Sequence, residues 1–316
     1  MVSKIALFQL VVPATAFCLL PPLPPPVPAA AVSASLTVLL CAGSPGERAH
    51  KKALSEEEHA RKKALFELQR ASSSGDVERI LADHQPQSLK EWNMGISAFG
   101  RCRDWKSALS LFEEVRATKG LAPDVYSFSA AISACEKGGQ WEQALSLLHA
   151  MPSAGVAPNV FTFNSAIAAL GKGGQWEGAL TLLDEMREAG VAANVVSFNS
   201  AISACAKSGR WEQALSLLIA TPRAGITPNV ITFNTAINAC GKAGEWERAV
   251  SLLVAMRSAG IEPNVISFNA AIHACEKGKE WERALSLLNE MQTVGCRGSH
   301  DACAFSHVHS RTCMHE

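Results

Sequence analysis

Amide side chains recur in this sequence at a fixed interval. Asn164, Asn199, Asn234 and Asn269 each follow a Phe, at steps of 35 residues. Ser129 holds the same place one step earlier, and Asn93 opens the series. A second row runs Asp124, Asn159, Asn194, Asn229, Asn264 and, at its end, Ser299. An amide carries a donor and an acceptor on one short side chain, so either row can bond the polar edge of a ligand. Both rows have a plainer use as well. Asp or Asn just before a helix caps its free N–H groups, and an Asn within a helix can bond a neighbouring unit. A third row is cationic: Arg101, Lys137, Lys172, Lys207, Lys242 and Lys277. It can follow a chain of phosphates, or it can complement helix C-terminal dipoles.

Other chemistry is thinly represented. No nucleophile, base and orienting group recur together, and the phosphate-cradling, nucleophile-elbow and His-Glu-x-x-His motifs are missing. The sequence therefore gives no ground for an enzyme, a small-molecule substrate or a cofactor. Ten Cys without a Cys-x-x-Cys exclude the common zinc knuckles and thioredoxin-type motifs. Cys135, Cys205, Cys240 and Cys275 share one register and read as small buried hydrophobes. Packed helices lie about 8–10 Å apart, too far for disulfides between equivalent positions. The tail holds Cys296, His300, Cys303, His307, His309, Cys313 and His315. A soft-metal site is conceivable there, but the spacing fits no zinc module. Residues 300–316 read as a disordered tail, and no metal is expected.

The rows need elements to hold them. Trp105, Trp141, Trp176, Trp211, Trp246 and Trp281 repeat at 36 and then 35 residues, and Pro123, Pro158, Pro228 and Pro263 keep the frame. A fixed period of this size signals a solenoid. Within one unit, Phe198, Ala201, Ile202 and Cys205 form one helical stripe, and Trp211, Ala214, Leu215 and Leu218 form a second. The Trp row falls on that second stripe and reads as core. Gly225 ends the second helix and Pro228-Asn229 opens the next unit. One helix pair cannot bury its faces alone; stacked pairs can. The expected fold is all-α, a right-handed superhelical solenoid of stacked helix-turn-helix repeats. Six frames result: 89–124, 125–159, 160–194, 195–229, 230–264 and 265–299.

Upstream, the first acidic residue is Glu47. Lys4 precedes an apolar run over residues 5–20, then a Pro-rich stretch and a second apolar run over 29–42. The first run is short for a membrane span and contains Pro13. Residues 1–42 read as a targeting presequence, signal- or transit-like, so the mature chain is not expected to span a membrane. Residues 43–88 hold eight basic and eight acidic residues and read as a charged, solvated helical linker. The net charge is zero, so nucleic-acid contact would depend on local placement of charge.

The run Asn194-Val-Val-Ser-Phe-Asn-Ser-Ala-Ile-Ser-Ala-Cys-Ala-Lys-Ser-Gly-Arg-Trp-Glu-Gln-Ala-Leu-Ser-Leu-Leu resembles the pentatricopeptide repeat, as do the Ala-Gly-Ile-Thr-Pro-Asn and Ala-Gly-Ile-Glu-Pro-Asn loops at 224–229 and 259–264. The resemblance covers residues 89–299. It implies sequence-specific binding of single-stranded RNA in chloroplasts or mitochondria, one base per repeat. The implied base-reading pairs are Asn93 with Asp124, Ser129 with Asn159, Asn164 with Asn194, Asn199 with Asn229, Asn234 with Asn264, and Asn269 with Ser299. The family's code then gives 5′-UAYYY(C)-3′, Y being C or U. The implied base-wedging residues are Tyr126, Phe161, Val196, Ile231 and Ile266, with Lys90 departing from the pattern in the first repeat. The cationic row would contact phosphates. The implied role lies in organellar RNA processing, stability or translation, chloroplast before mitochondrion, with other RNA-processing proteins as further partners. The family's deaminase-like extension needs His-x-Glu and Cys-x-x-Cys, and neither occurs. A helical solenoid that binds protein segments is the alternative.

Overall fold

The computed structural model describes residues 45–118 and 120–293. The presequence 1–42, Ser299 and the Cys/His tail lie outside the described residues. Among the described residues there are fourteen α-helices and no strand. Residues before Ala60 form a separate unit, of which a stretch of helix is described. The other unit contains all the repeats.

That second unit is a helical-repeat solenoid. Its six pairs are α3 (Leu89–Arg101) with α4 (Trp105–Ala117), α5 (Val125–Gly138) with α6 (Trp141–Ser153), α7 (Val160–Lys172) with α8 (Trp176–Glu188), α9 (Val195–Lys207) with α10 (Trp211–Arg223), α11 (Val230–Ala243) with α12 (Trp246–Ser258), and α13 (Val265–Lys277) with α14 (Trp281–Thr293). Each first helix packs on its own partner and on the next first helix, and each second helix packs on the first helix that follows.

Local chemistry sets the boundaries. Asp124, Asn159, Asn194, Asn229 and Asn264 each cap a first helix in a full capping box, the reciprocal partners being Ser127, Thr162, Ser197, Thr232 and Ser267. Past the second helices the chain turns through the left-handed region, as at Gly225 with φ 75°, a conformation that glycine adopts without penalty.

The core runs the length of the array. Ile132, Ile167, Ile202, Ile237 and Ile272 are buried, as are the paired Phe residues beginning with Phe128. First helices meet over small residues. A Cβ added to Gly171 would come within 3.0 Å of that of Ala204, and one added to Gly100 within 3.1 Å of that of Ala134. The four in-register cysteines are fully buried. Burial pushes the thiols of Cys135, Cys240 and Cys275 up to about 11, and raises that of Cys205.

Two features differ from the sequence reading. The Trp residues of the first five repeats are only half-buried and Trp281 is 55% exposed, so the row edges the core. Three of the rings lean towards the following repeat: a Cβ on Gly138, Gly173 or Gly278 would strike Trp105, Trp141 or Trp246. The charged stretch before the repeats also does more than link. It forms α1 (Pro45–Arg70) and α2 (Ser74–Asp83). Ala64 and Leu68 of α1 and Val77 and Ile80 of α2 are buried in the same cluster as the first repeat. Arg61 pairs with Glu91 at 2.6 Å, and Arg101 donates to the Leu68 carbonyl at 2.5 Å.

Candidate nucleic-acid interface

The capping boxes place the two polar rows side by side. The fifth residue of a repeat lies in the second turn of its first helix. The last residue caps the next first helix, which packs alongside. Asn93 Nδ2 donates to Asp124 Oδ1 at 3.1 Å, Asn164 Nδ2 to Asn194 Oδ1 at 3.3 Å, and Asn234 Nδ2 to Asn264 Oδ1 at 3.3 Å. Asn199 Nδ2 stands 3.5 Å from Asn229 Oδ1. The pairs implied by the family code are therefore in contact in four repeats. In the second repeat Ser129 is buried and donates instead to the Val125 carbonyl of its own helix at 2.5 Å, with no bond to Asn159. Asn269 is half-buried, and its partner Ser299 lies outside the described residues.

Both plainer uses of these residues are present too, and they decide which atoms are left over. Asn194 Oδ1 accepts from the N–H groups of Val196 and Ser197, each at 3.0 Å, as well as from Asn164. Its oxygen is saturated, and its Nδ2 has no partner among the described residues. Asn164 spends its oxygen on Ser197 and one N–H on Asn194, leaving one N–H. Such a repeat displays donors. The first repeat differs. Asp124 uses Oδ1 for the cap and for Asn93, leaving Oδ2, a charged acceptor.

Flanking these pairs are large exposed apolar side chains. Tyr126 is 72% exposed, and Phe161, Val196, Ile231 and Ile266 are exposed as well. Lys90 occupies the corresponding place in the first repeat and is exposed. An open groove of about 810 Å³ gathers Lys90, Asn93, Asp124, Tyr126, Ser129 and Phe161 with Arg101 and Lys137. At the start of the array it brings the first polar pair, two apolar flanks and two residues of the cationic row together on one surface.

The cationic row is divided. Lys172 reaches back to the Glu136 carbonyl at 3.1 Å and to its carboxylate at 2.8 Å. Lys277 lies 3.4 Å from the Lys242 carbonyl. With Arg101, these side chains cap the C-terminal end of a preceding helix. Lys137, Lys207 and Lys242 are exposed, and their amino groups have no partner among the described residues.

Sequence reasoning missed the third residue of each repeat. Ser127 Oγ donates to Asn93 Oδ1 at 2.7 Å, Ser197 Oγ to Asn164 Oδ1 at 2.6 Å and Ser267 Oγ to Asn234 Oδ1 at 2.5 Å. The signal was the run of Ser and Thr at one register, which is accounted for by capping alone until the inter-repeat contact is seen. Among the described residues no group of His, Cys, Asp and Glu could hold a metal, and no helix is long and apolar enough to cross a membrane.

Comparison with known proteins agrees with this architecture. The PPR repeat family profile matches residues 123–172, 158–207, 193–242 and 228–277, and a second PPR repeat profile matches 92–117 and 266–296. A stretch of 91 residues is 34% identical to a pentatricopeptide repeat-containing protein of Arabidopsis thaliana, taking in 28% of this chain and 10% of that protein. The crystal structure of the pentatricopeptide repeat protein PPR10 from maize superposes with a TM-score of 0.59 at 25% identity, over 88% of this chain and 40% of that one. The structure of PPR10 in complex with an 18-nucleotide psaJ RNA element superposes with a TM-score of 0.42 at 23% identity, over 71% of this chain and 38% of that one. The chain thus spans less than half the length of each of these relatives. Its repeat period, its helix pairs and the family profiles that run from residue 92 to 296 make it a member of the pentatricopeptide repeat family.

Proposed function

We propose that the array binds single-stranded RNA, one base per repeat, and carries out no catalytic step of its own. The observation that carries this reading is the row of side-by-side amide pairs with unsatisfied outward atoms, bordered by exposed apolar side chains. Base edges offer matching donors and acceptors, and base faces offer flat apolar surface to Tyr126, Phe161, Val196, Ile231 and Ile266. The strand must be single because those edges are engaged in a duplex.

The leftover atoms fit the proposed register 5′-UAYYY(C)-3′. Asp124 Oδ2 accepts from the N3–H of uracil. Ser129 has already given its hydrogen to Val125, so its oxygen accepts from the N6 amine of adenine. Asn–Asn pairs present N–H groups to pyrimidine acceptors. Lys137, Lys207 and Lys242 supply phosphate contacts. Arg101, Lys172 and Lys277 contribute less, because they are engaged within the protein.

Fluorescence anisotropy with the full chain tests the reading. RNA containing UACUCC is expected to bind at least tenfold tighter than the same RNA with its pyrimidines changed to purines, a difference of about 1.4 kcal/mol. Equal binding to both, lost steeply with salt, would leave phosphate contact alone. No binding, with partners retained after nuclease treatment, would favour a protein-binding solenoid instead.

The site of action proposed is an organelle, the chloroplast before the mitochondrion, where such binding would protect or remodel a transcript. The apolar, acid-free residues 1–42 are the support. Residues 1–42 fused to a fluorescent protein should direct it there, and a purely cytosolic signal would end that part of the proposal.

A further inference from the structure

Five first helices carry a buried hydroxyl at their third position: Ser127, Thr162, Ser197, Thr232 and Ser267, all fully buried. In every case it accepts the cap residue's N–H. What the hydroxyl does next depends on residue type. The three serines donate across the repeat boundary to the fifth-residue Asn of the preceding repeat, at 2.5–2.7 Å. Thr232 does not. It keeps only the contact to its own cap, Asn229 Oδ1 at 3.0 Å, which the serines also make to theirs at 2.9–3.1 Å. Asn199, which Thr232 would have to serve, is left with a buried Oδ1 that has no hydrogen-bond partner among the described residues. Its Nδ2 contact with Asn229 is the longest of the series at 3.5 Å.

The triads Asn164–Asn194–Ser197 and Asn199–Asn229–Thr232 differ only by one γ-methyl. A β-branched residue has fewer χ1 choices in a helix, and its methyl fills space that serine leaves open. An unpaired buried acceptor is costly, so the Asn199 amide gains by turning over or moving when a better partner is offered. The Asn164 amide is fixed at both ends, and its oxygen is committed to Ser197.

We propose that the third residue of each repeat sets the stringency with which the preceding repeat reads its base. Serine locks the reading Asn with its N–H outward; threonine releases it. The inference rests on the base-reading role proposed above and assigns a positioning function to Ser127, Ser197, Ser267 and Thr232. In an Asn–Asn repeat, which has no carboxylate like Asp124 to accept a base N–H, a locked outward N–H matches cytosine, whose N3 is an acceptor, and opposes uracil, whose N3 carries a hydrogen. A released amide can present either atom. The third and fifth bases should therefore favour C over U, while the fourth accepts both. Thr162 lies outside the comparison, because Ser129 is already satisfied within its own helix.

The test uses the full chain and hexamers that differ by C or U at one base. Wild-type protein should prefer C by about fivefold at bases three and five, the worth of one well-placed hydrogen bond, and by less than twofold at base four. Thr232→Ser should create the preference at base four and leave base three alone. Ser197→Thr should abolish it at base three. Thermal unfolding shows whether either variant stays folded, and the wild-type comparison of bases three and four needs neither variant. Equal C-to-U ratios at bases three and four, with purine discrimination intact, overturn this inference alone. Loss of all base preference in wild-type protein overturns the base-reading role together with it.

Discussion

The first helices and the second helices of the array are built to different tolerances. Each first helix from α5 onward starts at a capping box whose side-chain atoms are also bonded across the repeat boundary or to its own backbone. These helices pack over Gly, Ala and Cys at close range. The second helices α6, α8, α10 and α12 start at Gln140, Gln175, Arg210 and Glu245, none of which makes a side-chain cap bond. They are held by Ala and Leu packing, by a Met in α6, α8 and α12, and by a half-exposed Trp. Positional accuracy is concentrated where the amide pairs sit, and the second helices supply bulk.

Core truncation gives the widest separation between the rows. Phe128 is buried and meets Phe112 edge to face at 5.0 Å. Phe128→Ala should cost about 3–5 kcal/mol by denaturant unfolding. Trp141→Ala should cost about 2 kcal/mol, because much of the ring is already in water. Equal costs would erase the distinction.

Alkaline pH attacks the first row alone. Thiols that ionise near 9.0 in the unfolded chain are held near 11 at Cys135, Cys240 and Cys275 in the folded one. Folded pKa above unfolded pKa means that their contribution is complete below pH 9 and is lost as pH rises towards 11. At pH 10 the loss should be about 1 kcal/mol per thiol, read from denaturant midpoints at pH 8 and pH 10. A Cys135→Ala variant should show a smaller drop; an unchanged drop would assign the effect elsewhere.

Cap removal is a finer probe. Asn194→Ala should cost about 1 kcal/mol, whereas Gln175→Ala should fall within about 0.5 kcal/mol of wild type. A costly Gln175→Ala would mean that the second helices depend on a side-chain cap.

The smallest effect concerns charge. Lys137→Ala, Lys207→Ala and Lys242→Ala should each reduce the salt slope of RNA binding by about 0.7. Lys172→Ala should leave that slope nearly unchanged, its amino group being tied to Glu136. Anisotropy titrations at several salt concentrations distinguish them.

Much of this architecture can be read without coordinates, because one period carries it. Trp marks the frame six times, and Pro and the Phe-Asn pairs four times each, and the helix boundaries have local chemical causes. What escaped the sequence is whatever depends on contact between units. Lys172 meets Glu136 because stacking brings residues 36 apart together, and no local pattern announces that. Ser197 reads as a cap until Asn164 is seen beside it. The Trp row follows an apolar stripe, yet its rings only edge the core, and Trp105, Trp141 and Trp246 meet a glycine of the next unit that no local pattern reveals. Ala64, Leu68, Val77 and Ile80 are too sparse among the charges of residues 43–88 to reveal a buried face.

The seat beneath each tryptophan bears on how such chains can be rearranged. Trp105, Trp141 and Trp246 each face a glycine in the following unit, where any side chain would collide with the ring. The corresponding places after Trp176 and Trp211 are Ser208 and Ala243. The units are therefore not freely interchangeable bricks. A unit from behind a glycine joint, moved to stand before Ala243, would meet a methyl group where its ring expects a gap. Duplication and shuffling of these modules is thus constrained at the joints as well as at the amide pairs, and an engineer reordering them must match the seams first.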